Sequence, residues 1–156
     1  LLTQQYPDFT KTIGVVVVGG ESQQYADLFP FPIYCIDYVS NEKEIAEIYN
    51  AVDLFVTPSL MENLPNTIAE AMSCGVPCVG FNTGGIPQMI DHLHNGYVAQ
   101  YKSAEDLANG IHWSLNDDSY ASLSEEARRK AANTYSERTV AMKYIQVYNQ
   151  ITGDNA

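Results

Sequence analysis

Two glutamates, Glu62 and Glu70, lie eight residues apart, and their carboxylates are the strongest candidates in the sequence for ligand binding or catalysis. They follow an apolar run, 52–57, that is typical of a buried strand, and their segment closes at Gly75, a common helix stop. A carboxylate is a good acceptor for paired hydroxyl groups, such as those of a ribose or a hexose. Open α/β sheets usually bind ligands at this point, beyond the carboxyl end of a strand. From spacing alone, two unrelated glutamates on a solvated helix face are the more frequent explanation.

The residues between the two glutamates suit the binding of an anion. Asn66 and Thr67 begin a predicted helix over 66–74, and Glu70 follows one turn later on the same side. Backbone N–H groups at a helix N-terminus favour phosphate oxygens, because the helix dipole and the unpaired donors both attract negative charge. The opposite side of this segment is predicted to be an apolar stripe of Leu64, Ile68, Ala71 and Met72.

The composition indicates one globular domain that does not bind nucleic acid. The chain has 156 residues, 46% of them hydrophobic, and its net charge is −11. Nucleic acid is an unsuitable partner, because neutralising phosphates requires clustered lysines and arginines. No signal peptide and no apolar run near the ~20 residues of a bilayer span are visible. We therefore expect a cytoplasmic protein whose domain does not insert into a membrane.

The side chains that most often bind metals show no metal-binding pattern. Cys35, Cys74 and Cys78 lack a Cys-x-x-Cys spacing, and the three histidines lack the spacing of metal ligands. We expect the cysteines to be buried free thiols in a reducing compartment. The sequence thus predicts no metal and no cofactor.

Strand and helix patterns alternate along the first two thirds of the chain. The predicted strands are 13–18, 33–39, 54–57, 77–81 and 96–99. The predicted helices are 40–50, 66–74, 86–91, 104–115, 119–133 and 136–151. Helix 40–50 is amphipathic, with Ile45, Ile48 and Tyr49 on its apolar face. This alternation predicts an α/β fold with a Rossmann-like, doubly wound parallel sheet and C-terminal helices.

Four short motifs follow one another in a fixed order. They are the Glu62/Glu70 pair, Gly75 with Pro77, the turn Gly84-Gly85-Ile86-Pro87, and the segment Asn95-Gly96-Tyr97-Val98. Together they resemble the carboxyl-terminal, donor-binding domain of retaining GT-B glycosyltransferases of family four, the glycosyl transferases group 1. The resemblance runs over about residues 13–148, and it implies that the chain is one half of a GT-B fold.

The resemblance also implies a ligand and a set of site residues. The ligand is a nucleotide diphosphate sugar, with Glu70 on the ribose hydroxyls and Glu62, the catalytic residue, on the transferred sugar. The other implied donor-binding residues are Asn63, Leu64, Asn66, Thr67, Gly19, Gly20, Gly84 and Gly85. The implied reaction is transfer with retention to an acceptor glycan or lipid-linked sugar, in bacterial polysaccharide or lipopolysaccharide biosynthesis.

The chain departs from the family pattern at two positions. Pro65 stands where many members have glycine, so one N–H donor is lost, and Gln88 stands where many have glutamate. The family's paired Arg and Lys near the first strand have no counterpart in residues 1–12, where Lys11 is alone. We therefore expect a domain truncated at its amino-terminal side, lacking an acceptor-binding amino-terminal domain and inactive by itself. Peripheral attachment to the inner membrane face would occur through that missing domain.

Two other functions stay open at this point. A nucleotide-sugar epimerase or hydrolase on the same fold would use the same cleft, and would differ in its products with and without an acceptor. A non-catalytic interaction module would retain the fold for assembly and use its acidic surface for docking.

Overall fold

A computed structural model of the chain describes residues 1–25, 27, 29–116 and 120–153. Its strands are β1 (Val15–Val18), β2 (Ile33–Ile36), β3 (Phe55–Thr57), β4 (Cys78–Phe81) and β5 (Gly96–Ala99). Its helices are α1 (Leu2–Gln5), α2 (Glu42–Asn50), α3 (Asn66–Ser73), α4 (Ile86–Met89), α5 (Ala104–Asn116), α6 (Tyr120–Tyr135) and α7 (Glu137–Thr152). Two short 3₁₀ turns, Phe9–Lys11 and Ser22–Tyr25, flank β1.

Every predicted strand and helix is present, with local differences at the ends. The first strand begins at Val15, and the second ends at Ile36, where its partner β1 also ends. The helix predicted from residue 40 begins at Glu42, because the Asn41 side chain accepts hydrogen bonds from two N–H groups of its first turn. The predicted start of α6 at Ser119 lies outside the described residues.

All strand pairs are parallel, which confirms the predicted α/β class. β1 pairs with β2 in one sheet, and β3, β4 and β5 pair in that order in another. The predicted sheet is thus present in two parallel parts. Within the three-stranded part, Thr57 is in register with Gly80, so the loops that follow β3 and β4 leave the sheet at the same edge. This edge holds most of the predicted site.

The core lies between the three-stranded sheet and the helices α3, α4 and α6. Its fully or almost fully buried members are Ile68, Ala71, Met72, Val76, Cys78, Ile86, Met89, Ile90, Ala127 and Ala131. Packing α3 against α6 fixes the position of the helix that carries Glu70. Within the described part of the chain, no helix combines the length and the apolar content required to cross a membrane.

Candidate functional site

The loop after β4 is locked onto the loop after β3 by backbone contacts. The N–H of Gly85 donates a hydrogen bond of 2.6 Å to the carbonyl oxygen of Asn63. The hydroxyl of Thr83 donates to the carbonyl oxygen of Leu60 at 3.3 Å. A Cβ atom at Gly84 would lie 1.7 Å from the carbonyl oxygen of Glu62. Only glycine permits this approach, and the φ of +53° at Gly84 also favours glycine.

These two loops form the walls of an open cleft of about 540 Å³. The cleft is lined by Met61, Glu62, Asn63, Thr83 and Gly84, and the Glu62 side chain is half-buried in it. The structure therefore brings together Glu62, Asn63 and the glycine turn. A cleft of similar volume, between α4 and β5, contains none of the predicted site residues.

Helix α3 presents a polar ridge beside this cleft. Asn66, Thr67 and Glu70 are exposed, whereas Ile68, Ala71 and Met72 on the other side are fully buried. The first N–H groups of an α-helix have no partner within the helix, so those of Asn66 and Thr67 are available to an anion. Pro65 precedes them at the N-cap position and adds no donor.

The predicted apolar stripe of α3 is wrong at Leu64. It lies before the first residue of α3 and is 49% exposed, so it does not share the buried side of the helix. Its side chain instead lies against the backbone of Gly85, where an added Cβ would approach the Leu64 Cδ2 to 2.9 Å. Leu64 thus belongs to the contact between the two loops.

Glu70 has a hydrogen-bond partner that the sequence does not reveal. The Tyr49 hydroxyl on α2 donates to the Glu70 Oε2 at 3.1 Å. The Tyr49 ring packs edge-on against Phe55 of β3, with ring centroids 5.9 Å apart. Burial, and then the nearby Glu70 charge, raise the pKa of Tyr49 above its ordinary value. The amphipathic spacing of α2 places Tyr49 on the apolar face of that helix. Spacing does not show which group the Tyr49 hydroxyl contacts.

Gly19 and Gly20 differ from the other predicted glycines. They follow β1, in the two-stranded sheet, and a Cβ atom at either position would meet nothing within 4 Å. Gly19 has a φ of +144° and its N–H donates to the carbonyl oxygen of Ile36 at 3.0 Å. Neither glycine is held against the Glu62 loop as Gly84 and Gly85 are, and their role at the donor stays a prediction.

No metal centre is visible in the part of the chain that the structure describes. No three His, Cys, Asp or Glu side chains among those residues cluster in a way that would hold an ion. A metal-free site nevertheless stays a prediction. All three cysteines are free thiols in the structure, but only Cys78 is buried, as predicted. The predicted burial is wrong for Cys35, in the two-stranded sheet, and for Cys74, at the end of α3, since both are partly exposed.

Basic side chains near the end of α3 make structural contacts. The Arg128 Nη2 donates to the carbonyl oxygen of Cys74 at 3.1 Å, at the C-terminal end of that helix. The Lys130 ammonium contacts the Asp91 carboxylate at 2.6 Å. These contacts join α6 to α3 and to the loop after α4.

Comparison with known proteins identifies the family of this chain. Residues 32–133 match the family described as glycosyl transferases group 1. The N,N'-diacetylbacillosaminyl-diphospho-undecaprenol alpha-1,3-N-acetylgalactosaminyltransferase of Campylobacter jejuni is 30% identical over 87% of this chain and 37% of its own length. The chain spans about a third of the length of the first curated relatives that it matches.

Solved structures share the fold. HepE from Anabaena, solved in complex with UDP and glucose, has a TM-score of 0.74 at 18% identity, over 96% of this chain and 51% of HepE. The carboxyl-terminal domain of the group 1 glycosyl transferase LpcC from Francisella tularensis has a TM-score of 0.62 at 16% identity, over 88% of this chain and 94% of that domain. The family match covers well over half of the chain, and the chain therefore belongs to the glycosyl transferases group 1 family.

Proposed function

We propose that this chain is the donor-binding, carboxyl-terminal domain of a longer glycosyltransferase that uses a nucleotide diphosphate sugar. The observation that carries the proposal is the contact between Gly84-Gly85 and the backbone of Glu62 and Asn63. This contact holds a half-buried carboxylate in a cleft at the carboxyl edge of the sheet, where open α/β folds bind ligands. Family membership supports it.

The two glutamates divide the sugars of the donor between them. Glu70 accepts hydrogen bonds from the ribose hydroxyls, since it is exposed on the ridge of α3 and is already oriented by Tyr49. Glu62 contacts the transferred sugar, since its side chain lines the cleft. A carboxylate accepts hydrogen bonds from neighbouring hydroxyl groups through both of its oxygens, which suits it to both tasks.

The diphosphate lies at the N-terminus of α3 in this proposal. The backbone N–H groups of Leu64, Asn66 and Thr67 donate to its oxygens, and the helix dipole adds attraction. Donors fixed in place before the reaction stabilise the charge that develops on the leaving diphosphate. The net charge of −11 opposes an anionic ligand, so we place the compensating cations in the part of the enzyme that precedes this chain.

The acceptor binds to the amino-terminal domain of the longer enzyme. The Campylobacter relative is named for transfer to a diphospho-undecaprenol-linked sugar. By analogy, we propose transfer with retention to a glycan or lipid-linked sugar in bacterial surface polysaccharide assembly. The domain itself stays in the cytoplasm, and any attachment to the membrane occurs through the amino-terminal domain.

Steady-state kinetics of the longer enzyme test this proposal. Glu70→Ala is expected to lower activity by about two orders of magnitude or more, because the carboxylate that accepts hydrogen bonds from the donor is lost. The anomer of the product, followed by NMR, should match that of the donor. Near-normal turnover by Glu70→Ala would contradict the site. Release of an epimerised or free sugar as the main product, with acceptor present, would contradict the transferase reaction.

A further inference from the structure

Tyr49 is anchored at both ends of its side chain. Its ring is half-buried between α2 and the core and packs edge-on on Phe55, at a centroid distance of 5.9 Å. Its hydroxyl reaches across to α3 and contacts the Glu70 Oε2 at 3.1 Å. The Tyr49 hydroxyl can move only with its ring, and the ring is held by its packing on Phe55. The hydrogen bond therefore restrains the exposed Glu70 carboxylate more than it restrains Tyr49.

In this hydrogen bond Tyr49 is the donor and Glu70 is the acceptor. An ionised carboxylate only accepts hydrogen bonds, so the Tyr49 hydroxyl must be the donor. Burial and the Glu70 charge keep the phenol protonated, because both raise the pKa of Tyr49. The donor is therefore present over the whole physiological pH range. Oε1 of Glu70, and the second lone pair of Oε2, remain available for other donors.

We propose that Tyr49 is a positioning residue of the donor site, which holds the Glu70 carboxylate in the one orientation that receives the ribose hydroxyls. This inference rests on the proposed function. Glu70 is exposed on the surface of α3, where a free glutamate side chain samples several rotamers. Holding it in place before the ligand arrives removes part of the entropy loss of binding.

A purely structural role for the same contact makes a different prediction. The hydrogen bond also joins α2 to α3, so its loss could weaken the fold without any specific effect on a ligand. Tyr120 provides a matched control, because its hydroxyl donates to the Asp53 carbonyl oxygen at 2.9 Å and joins α6 to the segment before β3. Tyr120 makes no contact with Glu70, yet Tyr120→Phe removes the same chemical group.

Calorimetric titration of the longer enzyme with UDP and GDP tests the inference. The nucleotide that binds the wild type is then compared with its dideoxy analogue, which lacks both ribose hydroxyls. Tyr49→Phe keeps the ring packing and should weaken binding of the ribonucleotide about three- to tenfold, the range of one net hydrogen bond. Binding of the dideoxy analogue should not change. Tyr120→Phe should bind both nucleotides as the wild type does.

A double variant makes the test specific to Glu70. If Tyr49 acts through Glu70, then Tyr49→Phe should cause no further loss in a Glu70→Leu background, where no side-chain acceptor remains for the Tyr49 hydroxyl. Equal weakening of the ribonucleotide and the dideoxy analogue, unchanged affinity in Tyr49→Phe, or full additivity with Glu70→Leu would each overturn the inference. Failure of the wild type to bind either nucleotide would instead overturn the proposed function, and the inference with it.

Discussion

The backbone N–H of Gly85 and the carbonyl oxygen of Asn63 are joined by a hydrogen bond of 2.6 Å, although the two residues belong to loops after different strands. The bond is possible because neither Gly84 nor Gly85 has a Cβ atom, which would collide with the backbone of Glu62 or Asn63. The glycine turn is thus a support for the Glu62 loop. A contact of the turn with the donor itself stays a prediction.

Gly84→Ala should displace the Glu62 loop. The new Cβ would lie 1.7 Å from the Glu62 carbonyl oxygen, and alanine is strained at a φ of +53°. We expect a loss of stability of about 1–3 kcal/mol and a loss of nucleotide affinity of at least about tenfold. Thermal unfolding and calorimetric titration of the longer enzyme measure the two effects.

Gly153→Ala is the matched control for this substitution. Gly153 also has a positive φ, of +76°, but a Cβ atom there would meet nothing within 4 Å. It ends α7, far along the chain from the site. Gly153→Ala introduces the backbone strain of a positive φ but no collision with another residue. It should therefore keep the nucleotide affinity of the wild type. Equal losses of nucleotide affinity in Gly84→Ala and Gly153→Ala would show that the contact of Gly84 with the Glu62 loop is unimportant for binding.

Asn95 should stabilise the turn that follows α4. Its side chain is buried, with Oδ1 accepting from the Asp91 N–H at 2.9 Å and Nδ2 donating to the Asp91 Oδ2 at 3.2 Å. Asn95→Ala leaves that N–H without its acceptor, and we expect a loss of about 1–3 kcal/mol in the free energy of unfolding. Denaturant unfolding measures it, with the exposed Asn133→Ala as a control expected within about 0.5 kcal/mol of the wild type.

Arg128 should contribute to stability but not to donor binding. Its guanidinium donates to the Cys74 carbonyl oxygen at the end of α3, where a positive charge also complements the helix dipole. Arg128→Met should lower the free energy of unfolding by about 1 kcal/mol and leave nucleotide affinity unchanged. Arg129→Met, which removes an exposed ion pair with Glu126 on the same helix, should have a smaller effect. A marked loss of affinity in Arg128→Met would place this cation at the donor site instead.

The sequence predicts the elements of this fold well because the local signals are strong. The run of valines at 15–18, the apolar segment 78–81 that follows a proline, and the spacing of Ile68, Ala71 and Met72 each specify one local structure. The resemblance implied by the ordered motifs assigns Glu62 and the glycine turn to donor binding, and in the structure both line one cleft. By contrast, the division of the strands between two sheets follows from long-range pairing, which local patterns do not encode.

The contacts that orient the site were harder to predict. Tyr49 and Glu70 are 21 residues apart, on different helices, and meet only after α2 and α3 pack together. Leu64 is apolar and near the helix, so spacing assigns it to the buried stripe, although the helix begins two residues later. Arg128 contacts a backbone carbonyl oxygen, and the pattern of side chains in the sequence does not predict a contact of this kind.

The central claim, that Glu70 binds the nucleotide of a sugar donor, is tested most directly by titration. The ligands are uridine and guanosine diphosphate sugars, and the proteins are this chain and a polypeptide extended upstream by one strand and its loop. Calorimetry reports binding, and thermal shift supports it, because a ligand specific to the native state raises the apparent stability. The account predicts that the extended protein binds one of the two nucleotides and that Glu70→Ala abolishes this binding. Undiminished affinity in Glu70→Ala would contradict it.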